Sequence, residues 1–173
     1  MFRLFYPDED VESAYEIPFE EFYKKGIKGI IFDVDNTLAP HGAPPDDRAK
    51  KLFVRLHNLG METCLLSNNK EPRVSSFARD AGSLKYIYNG NKPGKKGYRK
   101  AMDLMGTNPS NTVFIGDQLF TDVYGAKRTG IYSILVKPLH PKEEIQIVLK
   151  RYLEGVVLYF YRKKKKLKHR SNG

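Results

Sequence analysis

The sequence predicts an α/β protein with a doubly wound, mainly parallel sheet. Short apolar runs alternate with segments whose apolar residues recur at helical spacing. Several of these runs end abruptly at polar residues, as buried parallel strands do where they face a ligand. A chain of 173 residues with 40% hydrophobic residues suits one core of ordinary size. We therefore expect a single domain over residues 1–161 and a short tail over 162–173.

The first half of the chain supplies two strands and a helix. Residues 30–32 form an apolar, β-branched run that stops at a carboxylate, so a strand is expected there. A helix follows, because the prolines and aspartates of 44–47 favour a helix start and apolar residues then recur until Gly60. The apolar run at 62–66 is the second strand.

The second half continues this alternation. A helix is expected between Pro72 and Gly82, since proline suits the first turn of a helix and glycine its end. The remaining expected elements are a strand at 85–88, a helix at 95–105, strands at 112–115 and 131–136 with a helix at 121–128 between them, and a helix from Pro141. The last helix is amphipathic and is expected to pack on the sheet.

Two carboxylates, Asp33 and Asp35, follow the first strand. Side chains alternate along a strand and ligands bind beyond the carboxyl ends of parallel strands, so both carboxylates are expected to face a substrate. Close carboxylates repel each other unless a cation lies between them or one is protonated. The alternative is that they only cap the next helix or form an Asx turn.

Polar residues suited to phosphoryl chemistry follow the later strands. Ser67 and Asn68 end the second strand, Lys92 lies in a Gly/Pro turn after the third, and Asp117 ends the fourth, shortly before Asp122. The carboxyl ends of parallel strands meet at one edge of a sheet, so these residues are expected to share a site.

This ordered set resembles the haloacid dehalogenase-like (HAD) phosphohydrolases. Its motifs are Asp-x-Asp-x-Thr at 33–37, a serine at 67, Lys-Pro at 92–93 and Gly-Asp-x4-Asp at 116–122. Within that superfamily the chain is most similar to the YqeG-type group of subclass IIIA phosphatases, which is similar to phosphatidylglycerophosphate phosphatases. The resemblance implies a Rossmann-like, HAD-like fold. The intervals between the motifs leave no room for a large cap domain.

The resemblance also implies a mechanism. Asp33 is the nucleophile that forms an aspartyl-phosphate, and Asp35 is the general acid and base. Mg²⁺ lies on the carboxylates of Asp33 and Asp117 and on the backbone carbonyl of Asp35. Asp122 orients this metal site, and Thr37 stabilises the catalytic loop.

Phosphate binding is assigned to Ser67, to the backbone amides beside it, including that of Asn68, and to Lys92, which neutralises charge on the transferring group. Each assignment has an alternative. Ser67 also suits a plain turn residue. Lys92 also suits a solvated charge, with Lys95 and Lys96 near enough to replace it. Asp117 also suits a helix N-cap.

The expected function is that of an Mg²⁺-dependent phosphomonoester hydrolase, with phosphatidylglycerophosphate as the substrate by resemblance. One alternative is a phosphatase for a soluble phosphorylated metabolite or nucleotide. Another is a basic RNA- or ribosome-associated protein on the same fold. The Asp33/Asp35 pair favours an enzyme, since a binding module needs no nucleophile beside an acid.

The carboxyl-terminal segment is basic. Residues 162–173 hold seven Lys or Arg and no acid, so they supply +7 of the net charge of +10. The apolar, aromatic run 156–161 precedes them. We expect Val156–Gly173 to contact an anionic membrane surface. The tail also suits nucleic-acid phosphates or no specific partner, and 156–161 also suits an edge strand.

The remaining features indicate a cytoplasmic protein, peripheral at the inner face of the membrane. Residues 1–7 lack the long apolar segment of a signal peptide, and no apolar run approaches the roughly 20 residues that cross a bilayer. Cys64 lies in an apolar strand pattern and is expected to be a buried hydrophobe. The four histidines show no ligand spacing and receive no role.

Overall fold

The computed structural model describes residues 3–140 and 153–163. Its strands are β1 (Glu9–Val11), β2 (Gly29–Phe32), β3 (Glu62–Leu66), β4 (Tyr86–Ile87), β5 (Thr112–Gly116) and β6 (Tyr132–Val136). Its helices are α1 (Phe19–Lys24), α2 (Asp47–Asn58), α3 (Glu71–Ala81), α4 (Lys95–Met105), α5 (Tyr124–Thr129) and α6 (153–163). The strands form one parallel sheet in the order β1-β6-β5-β2-β3-β4. The expected α/β class and parallel sheet are confirmed.

Local chemistry explains where the helices begin and end. The Asp46 carboxylate accepts a hydrogen bond from the Ala49 N–H over 3.0 Å and so caps the start of α2. Pro72 lies in the first turn of α3, where its missing N–H costs nothing. Gly82 ends α3 at φ 85°, a left-handed conformation that glycine adopts without strain. Both helices occupy segments that the sequence predicts.

The strand order brings the polar strand ends together. β2 lies between β3 and β5, and Phe32 pairs in register with Leu65 on one side and Ile115 on the other. The sheet grows from β2 through β3 and β4 in one direction, and from β5 through β6 in the other. Ligands of doubly wound sheets bind where the strand order reverses in this way. The carboxyl ends of β2 and β5 therefore flank the expected site.

Apolar layers cover both faces of the sheet. In one layer Phe32 packs against Phe53 of α2, with ring centroids 5.7 Å apart. In the other, Tyr98 of α4 packs against Phe114 of β5, with centroids 5.1 Å apart. Cys64 is buried in this second layer, as expected. Burial on both faces explains why the central strands are continuous apolar runs.

Four elements differ from the expectation, the first being α1, which is not predicted. β1 is not predicted, because Glu-Asp-Val has no apolar pattern, and it pairs only with β6 at the edge of the sheet. β4 is shorter than the strand expected at 85–88. The helix expected at 121–128 begins earlier, as a π-helical turn over Leu119–Val123 that continues into α5.

The segment 156–161 is helical and belongs to α6, so the edge-strand alternative is wrong. A short apolar run fits either structure by pattern alone. In the structure, Val157 and Leu158 pack against a buried cluster that includes Leu119. These contacts favour the helical conformation of the segment. The helix expected from Pro141 lies almost wholly outside the described residues, as do the basic residues beyond 163. None of the described helices has the length and hydropathy of a membrane span.

Within residues 3–140, the intervals between the strand ends hold no cap domain. Only α2 lies between β2 and β3, and only α3 between β3 and β4. The expected absence of a large cap is therefore confirmed for this part of the chain, and the edge of the sheet is open.

Tyr98→Phe is expected to lower the free energy of unfolding by about 1–2 kcal/mol. The Tyr98 hydroxyl donates a hydrogen bond to the Thr121 carbonyl over 2.7 Å and lies 3.2 Å from the Asp122 carbonyl. Urea denaturation measures the change. Tyr88→Phe is the matched control, since the Tyr88 side chain is exposed. Equal effects of the two substitutions would contradict this expectation.

Candidate active site

A polar cavity of about 190 Å³ opens at the carboxyl ends of the central strands. Five residues that the sequence analysis selects line it: Asp33, Asp35, Ser67, Asn68 and Lys92. They follow β2, β3 and β4 in the chain, and the parallel register brings them to one edge. The structure therefore brings these five residues together at one edge of the sheet, as the sequence predicts.

Lys92 lies at the centre of this site. Its ammonium donates hydrogen bonds to Asp33 Oδ1 and to Asp122 Oδ1, each over 2.6 Å. Only 4% of its side chain is exposed, so the interpretation of Lys92 as a solvated charge is wrong. Lys92, rather than Lys95 or Lys96, reaches the carboxylates. Lys92 therefore joins Asp33, which follows β2, to Asp122, which lies in the π-helical turn after β5.

Asn68 holds the loop that carries Lys92. The Asn68 Oδ1 accepts a hydrogen bond from the Lys92 N–H over 2.7 Å, and its Nδ2 donates to the Lys92 carbonyl over 3.1 Å. The side chain of Asn68 is therefore engaged by the protein. The expected phosphate contact comes from the backbone N–H of Asn68, and it stays a prediction beside this side-chain contact.

Ser67 is buried beside the cavity. Its Oγ accepts a hydrogen bond from the Asn69 N–H over 3.1 Å, as a turn-forming serine does. A hydroxyl that accepts a hydrogen bond still has its own proton to donate. The two interpretations of Ser67, as a turn residue and as a phosphate donor, are therefore compatible.

Three buried carboxylates lie close together at this edge of the sheet. One oxygen from each of Asp33, Asp117 and Asp122 lies within 4.8 Å of the others. The Thr37 hydroxyl is 3.5 Å from Asp33 Oδ2 and 3.4 Å from Asp117 Oδ1, so it links the loop after β2 to the loop after β5. The N-cap interpretation of Asp117 is wrong, because the N-cap position of the following turn is Gln118.

The protein engages both oxygens of Asp122. Oδ1 accepts from Lys92, and Oδ2 accepts from the Gln118 N–H over 3.0 Å. This arrangement agrees with the expectation that Asp122 orients the site. Asp33 uses only Oδ1 for Lys92, so its Oδ2 faces the Asp117 side of the cluster.

These carboxylates and Lys92 carry more negative than positive charge when all of them are ionised. Asp33, Asp117 and Asp122 supply three negative charges when ionised, and Lys92 supplies one positive charge. Burial raises the pKa of Asp33 to about 7, although Lys92 opposes the shift. Burial opposes the charge of Lys92, yet the carboxylates of Asp122 and Asp33 outweigh it and raise its pKa. Carboxylate oxygens with excess negative charge fit a hard divalent cation.

Asp35 lies on the other side of the cavity and makes different contacts. Its Oδ1 accepts from the Gly42 N–H and from Arg73 Nη2, each over 2.9 Å, and its Oδ2 accepts from Asn69 Nδ2 over 2.6 Å. Burial alone would raise the pKa of Asp35, but the Gly42 amide and the Arg73 guanidinium outweigh it and lower the pKa. Because Asp46 caps α2, Asp35 is not the cap of that helix.

A family model described as HAD-hydrolase-like matches residues 90–138, which include Lys92, Asp117 and Asp122. The chain is also 34% identical over 163 residues to the probable phosphatase YqeG of Bacillus subtilis (strain 168), with 94% of each chain covered. The chain belongs to the YqeG-type phosphatases of the HAD superfamily.

Other similarities agree with this assignment. The phosphatase is 27% identical over 158 residues to the chloroplastic/mitochondrial phosphatidylglycerophosphate phosphatase 1 of Arabidopsis thaliana, with 82% of this chain and 43% of that relative covered. Its fold is similar to that of a putative HAD superfamily (subfamily III A) hydrolase from Legionella pneumophila. The TM-score is 0.54 at 19% identity, with 70% of this chain and 72% of that chain covered.

Several residues that line or support the cavity of this phosphatase are not predicted from the sequence. Arg73 and Asn69 hold Asp35, and Gln118 and Thr121 line the cavity. His41 also lines it, with Nδ1 3.9 Å from Asp35 Oδ1. Asn69 directly follows Ser67 and Asn68, so its position after β3 could have predicted that it lies near the cavity. Arg73 and His41 carry no such signal, because only the folded loops bring them to Asp35.

Lys92→Met is expected to lower the free energy of unfolding by about 3–5 kcal/mol, because it leaves two buried carboxylates without their cation. Asp33→Asn is expected to leave the stability of the metal-free phosphatase unchanged or higher, since it removes one of three negative charges. Urea denaturation in the presence of a chelator measures both effects.

Lys96→Met is the matched control for Lys92→Met, since Lys96 is exposed at the start of α4. Its denaturation midpoint should equal that of the wild type. A Lys92→Met midpoint as high as that of the control would show that the buried ammonium does not hold this cluster together.

Proposed function

We propose that this phosphatase is an Mg²⁺-dependent phosphomonoester hydrolase that works through an aspartyl-phosphate on Asp33. The observation that carries the proposal is the asymmetric environment of Asp33. One oxygen is bound by Lys92, and the other lies on the side of Asp117 and Thr37. A buried carboxylate held at a strand end beside a cavity suits a nucleophile, because its orientation is set before substrate arrives.

The first step forms the aspartyl-phosphate. A carboxylate oxygen of Asp33 attacks phosphorus, the bond from phosphorus to the alcohol oxygen breaks, and that oxygen takes a proton from Asp35. Lys92, Ser67 and the N–H of Asn68 contact the oxygens of the transferring group, where negative charge must be stabilised.

The second step releases phosphate. Water attacks the phosphorus of the aspartyl-phosphate and gives its proton to Asp35, and the Asp33 carboxylate leaves. The N–H groups of Gly42, Asn69 and Arg73 favour the charged form of Asp35, which is the form that accepts this proton. Asp35 thereby regains the proton that it gives to the next alcohol.

The residues that would hold Mg²⁺ are Asp33 and Asp117 through their carboxylates and Asp35 through its backbone carbonyl. Asp122 and Thr37 orient these groups. The bound ion would supply positive charge to the phosphoryl oxygens and the buried carboxylates. The excess of negative charge among Asp33, Asp117 and Asp122 supports this assignment.

We propose phosphatidylglycerophosphate as the substrate. The similarity to a phosphatidylglycerophosphate phosphatase of Arabidopsis thaliana supports it. The absence of a cap domain within residues 3–140 supports it too, because an open sheet edge admits a phosphate carried on a lipid. The alternative of a soluble phosphorylated metabolite or nucleotide is favoured by the small size and polar lining of the cavity.

The direct test is Mg²⁺-dependent phosphate release from phosphatidylglycerophosphate in mixed micelles, with an aryl phosphate as the reference substrate. We expect release from the lipid that disappears in Asp33→Asn and in the presence of a chelator. Release from the aryl phosphate alone would keep the mechanism and reject the lipid substrate. Unchanged release by Asp33→Asn would reject Asp33 as the nucleophile.

We further propose that the carboxyl-terminal segment contacts an anionic membrane at its cytoplasmic face. On α6, Val156, Tyr159 and Phe160 are 47%, 63% and 55% exposed, which is unusual for apolar and aromatic side chains. Seven Lys or Arg follow within 162–173. Aromatic side chains beside a basic cluster suit the boundary between water and an anionic bilayer.

Replacement of the four lysines at 163–166 by glutamine is expected to weaken binding to phosphatidylglycerol vesicles by about a hundredfold or more, since each lysine contributes about 1 kcal/mol. Sedimentation with vesicles measures this binding. The matched control replaces four exposed lysines of the catalytic domain, at 24, 25, 50 and 51, by glutamine. Equal losses in both variants, or loss of RNA binding with vesicle binding retained, would contradict the membrane proposal.

A further inference from the structure

A buried carboxylate from the carboxyl-terminal helix lies against the loop that carries Asp117. Glu154, in α6, is only 8% exposed. Its Oε1 accepts hydrogen bonds from the backbone N–H groups of Leu119, over 3.0 Å, and Phe120, over 3.3 Å. Glu154 is 35 residues away from Leu119 in sequence. Burial of a carboxylate is costly unless hydrogen bonds compensate it, so this contact is specific.

The two N–H groups belong to the start of a helical segment. Leu119–Val123 forms a π-helical turn that continues into α5, and its N-cap residue, Gln118, makes no side-chain cap hydrogen bond. The first N–H groups of a helical segment need acceptors, and negative charge is favourable at that end. Glu154 therefore supplies from α6 the cap that the local sequence lacks.

This turn carries much of the site. Asp117 directly precedes Gln118, Gln118 and Thr121 line the cavity, and Asp122 binds Lys92. A shift of Leu119 and its neighbours would displace the carboxylates at both ends of the turn. The position of Asp117 relative to Asp33 thus depends on what holds the turn in place.

Apolar and polar contacts keep α6 against the domain. Val157 and Leu158 pack on the buried cluster of Leu119, Val123 and Leu135. At the end of the helix, the ring of Tyr161 lies 5.1 Å from that of Tyr6, and Arg162 Nη2 binds Asp10 Oδ2 over 3.2 Å. These contacts fix the direction in which Glu154 enters the fold.

We propose that Glu154 is a positioning residue that fixes the turn 117–122, so that α6 is a structural part of the active site. The proposal rests on the proposed metal site of this phosphatase. It concerns Asp117 through the backbone next to it, since Glu154 itself bonds to Leu119 and Phe120. Groups that orient metal ligands without touching the metal commonly change metal affinity or activity by 10- to 100-fold when they are removed.

The test measures divalent metal affinity directly, by Mn²⁺ electron paramagnetic resonance titration of the full chain without substrate. We expect Glu154→Ala to weaken Mn²⁺ binding by about tenfold or more. Glu154→Gln is expected to fall between it and the wild type, because the amide oxygen keeps an acceptor but loses the charge. Hydrogen exchange at the Leu119 and Phe120 amides is expected to accelerate in the same order.

Glu71→Ala is the matched control. Glu71 also lies in the first turn of a helix, but it is exposed. The Mn²⁺ affinity of the Glu71→Ala variant should equal that of the wild type. Wild-type Mn²⁺ affinity in both Glu154 variants would overturn the proposal, and so would an equal loss in the Glu71 control.

A second readout separates this proposal from the proposed function. With an aryl phosphate as substrate, Glu154→Gln is expected to need a higher Mg²⁺ concentration for half-maximal rate, while KM for the substrate changes little. If the wild type binds Mn²⁺ but releases no phosphate, the proposed function fails, and the effect of Glu154 on metal affinity still decides the positioning role. The glutamine side chain has nearly the same size and shape as that of glutamate. If Glu154→Ala does not fold, the Mn²⁺ affinity of Glu154→Gln alone therefore tests the proposal.

Discussion

The buried ammonium of Lys92 is the interaction on which the rest of the site depends. It joins Asp33, after β2, to Asp122, in the turn after β5, and it is almost fully removed from solvent. A charge buried to this extent is tolerable only with carboxylate partners at hydrogen-bond distance. If either carboxylate moved, Lys92 would lose one of its two buried partners. The geometry of the cavity therefore follows from the position of one side chain.

The surrounding structure keeps that side chain in place. Asn68 binds both the N–H and the carbonyl of Lys92, and the Tyr98 hydroxyl binds the carbonyls of Thr121 and Asp122. These supports come from the loop after β3 and from α4. A loop at the edge of the sheet and a helix packed on it thus converge on one charge cluster, and a substitution in either acts on the site through Lys92 or Asp122.

The two halves of the cavity have different electrostatic tasks. On one side, Asp33, Asp117 and Asp122 accumulate negative charge beyond what Lys92 offsets, which suits a cation and a nucleophile. On the other side, Asp35 is held by donors from Gly42, Asn69 and Arg73, which keep it charged without a metal. Two carboxylates that are two residues apart in sequence therefore have separate environments. This separation suits a nucleophile beside an acid and base.

The strands and their polar ends were readable from the sequence, because burial on both faces requires continuous apolar runs, and these runs end at polar residues. This determined the parallel sheet and brought Asp33, Ser67, Lys92 and Asp117 to one edge. Only the tertiary structure decided which oxygen meets which donor. Arg73, His41 and Glu154 reach the site through contacts between distant segments, and no local pattern encodes these. For the same reason β1 and the helical state of 156–161 were not predictable: an edge strand has little apolar burial, and a short apolar run takes the structure that its tertiary contacts stabilise.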